Sequence, residues 1–249
     1  MNLVNLIGLA FLFLFILLLV AAHFVLDKKK KKLLREIEAF RYLRRSIGVS
    51  VEDGKRIHLA LGWGSLFGEP FGSGLIGLST LDRFSRVALY GDKSPITTSG
   101  TGELMILSQD TLNHSYRGLG KPNINLINEA QMAGVTPFSY AIGTQAIIRD
   151  EDVSIDVILG HFNNELGLIL DASERQGNLS IGGSDDLTAQ AIFYGAGGYP
   201  LIGEEVYAAG AYLGNTPMHQ ASLLVQDYMR WGIIVGIIIG ILLKIVGVL

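Results

Sequence analysis

The sequence predicts an α/β fold, a doubly wound and mostly parallel sheet flanked by one transmembrane helix at each end. Three observations predict it. Short apolar strands alternate with helical segments across the middle of the chain. A long, mainly apolar run stands at each terminus. Each predicted helix opens on a loop rich in Gly, Ser, Thr, Asn or Asp, residues that supply capping oxygens or permissive dihedrals.

The first run, residues 3–26, is broken only by Asn5, Gly8 and His23, and as a helix it covers about 36 Å, enough for a ~30 Å hydrocarbon core. A cleaved signal peptide carries its positive charge before a shorter apolar stretch. Here Met1 and Asn2 precede the run, and Asp27 and the five lysines Lys28 to Lys32 follow it. The order therefore predicts a retained anchor over 1–27. Residues 28–54 read as a basic juxtamembrane linker whose Leu34, Ile37, Phe40, Leu43 and Ile47 recur at helical spacing, predicting a helix over 33–47. Its basic face suits anionic lipid, and equally suits a topology signal followed by a helix packed on its own domain.

Residues 55–229 form the α/β domain. Strands are expected at 56–62, 96–99, 130–134, 155–160, 179–182 and 206–213, with helices at 75–90, 102–116, 137–149, 165–176, 187–195 and from 217 onward. Three pairs of segments recur in the same order: 56–62 with 154–160, 99–103 with 183–187, and Thr136-Pro137 with Thr216-Pro217. This order divides the domain into two β-α-β-α-β-α halves. Generic α/β rhythm produces the same order.

The last run, residues 230–249, is apolar except for Arg230 and Lys244. Gly232, Gly236 and Gly240 share one helix face, where small residues let helix backbones approach each other. Basic residues beside both runs place the domain in the cytoplasm and both termini outside, in a bacterial inner membrane. No breaker separates Pro217 from this span, so domain and membrane helix read as one rod.

Charge and composition exclude several chemistries. The net charge of −3 conceals a division: 11 of the 20 basic residues lie in 28–56, whereas 57–231 holds 8 basic and 18 acidic residues. An acidic body repels phosphate backbones, so no nucleic-acid partner is expected. The absence of cysteine removes disulfides, thiolate metal sites and cysteine nucleophiles. The five histidines have no metal-ligand spacing, so no metal and no cofactor are expected.

Candidate ligand residues fall at strand ends. Gly72, Gly74 and Gly77 match the dinucleotide fingerprint G-x-G-x-x-G, although the match begins ten residues past the first strand and no acidic residue ends the second. Thr98, Ser99 and Gly100 in one half, with Gly183, Ser184 and Asp185 in the other, would rim the carboxyl edge of the sheet, where open α/β domains bind ligands. Helix capping explains the same residue types. His161, after the fourth strand, is the strongest candidate for a general base, and a solvated loop histidine is the plainer reading. Asp150-Glu-Asp152 and Glu204-Glu205 read as solvated acidic turns.

The segments Val51-Glu-Asp-Gly-Lys-Arg-Ile-His58, Thr98-Ser-Gly-Thr-Gly-Glu-Leu-Met-Ile-Leu-Ser-Gln-Asp-Thr-Leu112, Pro200-Leu-Ile-Gly-Glu-Glu-Val-Tyr-Ala-Ala-Gly-Ala-Tyr212 and His219-Gln-Ala-Ser-Leu-Leu-Val-Gln-Asp227 resemble an uncharacterised family of bacterial membrane-anchored proteins catalogued as a domain of unknown function. The resemblance implies a bacterial source and a shared fold, and carries over no catalytic residue or ligand.

Two functions follow as expectations. The first is a self-associating, homo-oligomeric scaffold, without enzymatic activity, on the cytoplasmic face of the bilayer, with a glycine-faced span that packs against either the first span or a neighbouring subunit. The alternative is a membrane-tethered sensor or enzyme that takes a small molecule or nucleotide at the strand-end loops.

Overall fold

A computed structural model of the chain describes residues 3–29, 35–65, 71–88, 91, 93–118, 120, 126–214 and 217–246. The chain separates into two units, Met1–Arg35 with Gly214–Leu249, and Glu36–Leu213.

Helix α1 (Leu3–Lys29) belongs to the first unit. The second opens with α2 (Glu38–Glu52), which starts later than the spacing predicts and buries Ala39, Phe40, Leu43, Ile47 and Ser50. Of the expected stripe, Phe40, Leu43 and Ile47 are buried and Ile37 precedes the helix; the buried face extends to Ser50, whose hydroxyl donates to the Lys55 carbonyl (3.2 Å). Residues 30–34 lie outside the described residues.

The rest of the unit runs β1 (Arg56–Gly62), α3 (Phe71–Ala88), β2 (Ile96–Ser99), α4 (Gly102–Gly118), the single turn α5 (Leu126–Glu129), β3 (Ala130–Met132), α6 (Pro137–Asp150), β4 (Val153–His161), α7 (Leu166–Arg175), β5 (Leu179–Ser184), α8 (Leu187–Gly195), β6 (Tyr199–Pro200), a 3₁₀ turn (Gly203–Ala208) and α9 (Ala209–Gly214). Thr136 caps α6 as its Thr-Pro signature predicts, accepting from the Ser139 amide (3.3 Å), while the Ser139 hydroxyl accepts from the Thr136 amide (2.9 Å). Thr216 of the matching signature lies outside the described residues.

All six strands are parallel, in the order β3-β2-β1-β4-β5-β6. This is the doubly wound order in which the chain reverses direction between β1 and β4, with three strands to each side. The central strands are buried on both faces, as a parallel sheet between two helical layers requires. Tyr140, Phe162, Leu166, Ile169, Leu170, Ala189 and Phe193 pack with Ala60 and Ile158 on the layer of α6, α7 and α8. On the other face, a Cβ at Gly77 of α3 would lie 2.5 Å from the Leu61 side chain and 2.6 Å from the Leu159 carbonyl.

The expected strand over 206–213 is a correction. That segment folds as the 3₁₀ turn and α9, and the sixth strand is the pair Tyr199–Pro200 beside Ile181 and Gly182. A short apolar run rich in alanine does not separate strand from helix by periodicity, and proline is tolerated in a strand only at an edge. The repeat of two halves therefore holds for strand order but not for this segment.

In the first unit, α10 (Pro217–Ile245) carries a stretch, Met218–Ile245, long and apolar enough to cross a membrane, while α1 carries the shorter apolar stretch Gly8–Phe24. Phe11 and Phe15 of α1 line one groove with Gln226, Met229, Arg230, Ile233 and Ile234 of α10. Among the described residues, a Cβ at Gly232, Gly236 or Gly240 would meet nothing within 4 Å.

Candidate functional site at the sheet's carboxyl edge

Register places His58 of β1 opposite Asp156 of β4, and Asp156 opposite Ser180 of β5, a polar row across three central strands. His58 Nδ1 donates to Asp156 Oδ1 (2.7 Å), and both side chains are 0% exposed. Ser173 Oγ and Asn178 Nδ2 donate to Asp156 Oδ2 (2.6 and 2.9 Å). His58 Nε2 shares a hydrogen bond with Thr98 Oγ1 (2.9 Å), which in turn pairs with the Tyr140 hydroxyl (3.1 Å). That hydroxyl accepts from the Gly62 amide (3.3 Å), and burial pushes the Tyr140 phenol up to about 12. The network thus satisfies its buried groups and runs from the sheet interior to the last residue of β1.

At that residue the chain turns sharply. Gly62 has φ +61°, and a Cβ there would stand 2.2 Å from the His161 carbonyl, so only glycine fits the bulge that ends β1 beside β4. The Trp63 amide then donates to the His161 carbonyl (2.9 Å), and the Gly100 amide to the Gly62 carbonyl (2.9 Å). The ends of β2, β1 and β4 are tied together at the strand-order reversal.

His161, the last residue of β4, projects its Nδ1 toward Asp185 just past β5 (2.7 Å), with the two side chains 25% and 18% exposed. The hydrogen bond that its Nδ1–H donates to Asp185 raises the imidazole above its usual value against the opposing effect of burial, helped by the charges of Asp185, Asp186 and Glu165. Burial would raise the Asp185 carboxyl, but the hydrogen bond and charge of His161 hold it below the usual carboxylate range. Asp185 fixes the Nδ1–H tautomer, leaving Nε2 as the working nitrogen. It takes no hydrogen bond from the described residues.

Ser73, in the first turn of α3, is fully buried next to Asp185. Its hydroxyl makes no hydrogen bond of proper geometry, which costs on the order of 1–3 kcal/mol. Tyr207, in the 3₁₀ turn, lies half-exposed with its ring over Gly72, where a Cβ would come within 3.2 Å of it. Burial, then the charge of Asp185, raises its phenol.

The residues singled out in the sequence divide between site and frame. Gly72, Gly74 and Gly77 lie within α3, not in a loop ahead of it. Gly74 lets α3 touch Gly64, and Gly77 lets it touch the sheet. Thr98 faces the buried network, and the Ser99 hydroxyl donates to the Thr101 carbonyl (3.2 Å). Gly100 sits beneath the Trp63 ring, and Gly183 lets β5 approach the Leu201 carbonyl. The Ser184 hydroxyl accepts from the Phe162 amide (2.9 Å) and donates to the Phe162 carbonyl (3.0 Å). Asp186 caps α8, accepting from the Thr188 and Ala189 amides (2.8 and 3.0 Å). Asp185 and Gly72 reach the edge itself, together with His161.

Sequence reasoning missed Ser73, Tyr207 and the strand-end pair Gly62-Trp63-Gly64. The glycine pair was legible as G-x-G directly after β1. Tyr207 was hidden in a run read as strand. Among the described residues, no cluster of three His, Asp or Glu side chains could hold a metal. No curated protein and no solved structure matches the chain. Over residues 2–249 it matches the model of DUF6754, a domain of unknown function, and the chain belongs to that family.

Proposed function

We propose that this chain is a membrane-anchored α/β module that binds a small molecule at the carboxyl edge of its sheet, between β1 and β4. The observation that carries this reading is the His161–Asp185 pair, half-buried at the ends of β4 and β5 beside the point of strand-order reversal, with Nε2 uncommitted. Doubly wound sheets bind ligands in the crevice at that point because the loops from the two sides diverge there. The test is a thermal-shift screen of the full chain in lipid nanodiscs against common metabolites and nucleotides. A ligand that raises the melting temperature of the wild type, and fails to do so with Asp185→Asn, supports the reading. No shift with any compound would sink it.

A second reading, self-association as a scaffold, is favoured by the open glycine face of α10. Small residues drive helix pairing in lipid by close van der Waals approach, and a Cβ at Gly232, Gly236 or Gly240 meets no described residue within 4 Å. Mass photometry in gentle detergent is expected to show oligomers that Gly236→Leu disperses. A wild-type monomer in both detergent and crosslinked native membranes would remove this reading.

Anchoring by two spans, with the domain in the cytoplasm and both termini outside a bacterial inner membrane, accompanies both readings. It rests on the basic residues that follow the first apolar run and on Arg230 before the second. The groove shared with Phe11 and Phe15 sets Arg230 beside the apolar body of α1, where its pairing with Asp227 (3.7 Å) reduces the cost of the charge. Labelling of the domain in intact cells by a membrane-impermeant reagent would reverse the orientation.

A further inference from the structure

The charges around the switch point restrict what the ligand can carry. Among the described residues, the groups whose charges act on His161 are the carboxylates Asp185, Asp186 and Glu165. A helix N-terminus attracts phosphate through its unpaired amides, but the first turn of α3 already has the Asp185 carboxylate beside Ser73. A phosphate placed there would face that carboxylate in a part-buried, low-dielectric setting where the His161 imidazole, already paired with Asp185, is the basic group that the described residues supply. The backbone has also used the room a pyrophosphate would need. At Gly64, the second glycine of the strand-end pair, a Cβ would lie 3.1 Å from the Gly74 Cα and 3.0 Å from Leu104. That glycine serves packing against α3.

What the edge does offer is hydrogen bonding. Asp185 supplies acceptor oxygens, His161 Nε2 is uncommitted, and the buried Ser73 hydroxyl has unspent capacity. The half-exposed Tyr207 ring adds an aromatic face with a hydroxyl at its tip. A sugar hydroxyl is one donor and two acceptors, so neighbouring hydroxyls can donate to a carboxylate while exchanging a hydrogen bond with an imidazole. The C–H face of a sugar ring packs well on an aromatic ring.

We infer that the edge binds an uncharged ligand with neighbouring hydroxyls, a nucleoside or a monosaccharide, and discriminates against its phosphate esters. The inference rests on the ligand-site reading above and names the chemistry of that ligand. The test is isothermal titration of the full chain in lipid nanodiscs with adenosine, ribose and glucose, each beside its monophosphate.

At least one neutral compound is expected to bind, with its ester weaker by about tenfold or more. Preference for adenosine identifies nucleosides as the source, and preference for ribose or glucose identifies free sugars. Asp185→Asn is expected to weaken the neutral ligand by more than about tenfold, and Tyr207→Phe, which keeps the ring and the packing over Gly72, by about threefold. An ester that binds as tightly as its parent, with the same dependence on Asp185, overturns the inference and leaves the ligand site standing. Binding untouched by both variants overturns it as well. Failure of every compound, esters included, overturns the inference, while the ligand-site reading falls only if the wider thermal-shift screen also gives no shift.

Discussion

The molecule contains the same pair of side chains twice, in settings that give it opposite uses. His58–Asp156 and His161–Asp185 each join an imidazole Nδ1 to a carboxylate oxygen at 2.7 Å. The first pair sits mid-strand between β1 and β4, wholly buried, with the remaining polar atoms taken up by Thr98, Ser173 and Asn178. The second stands at the ends of β4 and β5, part-exposed, with Nε2 uncommitted. Position along the strand decides the difference. A mid-strand pair must be satisfied internally or it destabilises the fold, whereas a pair at the carboxyl edge can leave one atom for a ligand.

The largest expected effect tests the buried pair. Asp156→Ala removes the partner of buried His58 Nδ1 and one partner each of Ser173 and part-buried Asn178, and loss of one partner of such a pair costs about 3–5 kcal/mol. Urea denaturation of the full chain in detergent would read this loss, and a change below about 1 kcal/mol would break the comparison.

Next comes Thr98→Val, which removes the partner of His58 Nε2 and one partner of the Tyr140 hydroxyl at nearly constant volume. It should cost about 1–3 kcal/mol, while the melting-temperature shift given by a ligand at the edge stays unchanged.

The edge pair is expected to show itself through pH. Folding raises His161, so its contribution to stability is complete below the unfolded value near 6.5 and disappears as pH climbs through the raised folded value. Folding lowers Asp185, so its contribution is present above the unfolded value near 3.9 and vanishes as pH falls through the depressed folded value. The stability difference between wild type and Asp185→Asn should therefore be greatest in mildly acid solution, about 1 kcal/mol, and shrink toward alkaline pH. Histidine NMR titration should show His161 moving down toward 6.5 in that variant. A His161 resonance indifferent to Asp185 would remove the pair from the argument.

The smallest effect separates two adjacent carboxylates. Asp186→Ala should cost about 1 kcal/mol through loss of the α8 cap and leave ligand affinity near wild type. Asp185→Ala should weaken the ligand instead, with a stability loss that is greatest in mildly acid solution and shrinks toward alkaline pH. Equal losses of affinity from both variants would reduce Asp185 to one charge among several.

Local patterns in the sequence were sufficient for β1, β2 and α8, whose predicted ranges coincide with those observed, and for the apolar C-terminal helix. These depend on spacing, capping and hydropathy, which act over a few residues. The order β3-β2-β1-β4-β5-β6 could not be read that way, because pairing β1 with β4 joins residues about a hundred positions apart. The same crossing brings His58 to Asp156, and α3 with the 3₁₀ turn brings Ser73 and Tyr207 beside Asp185. His161 and Asp185 were each visible as residues of suitable chemistry at strand ends. Their partnership, and the inertness of the other histidine pair, were decided by tertiary structure, because burial and the direction of a side chain's neighbours exist only once the layers have packed.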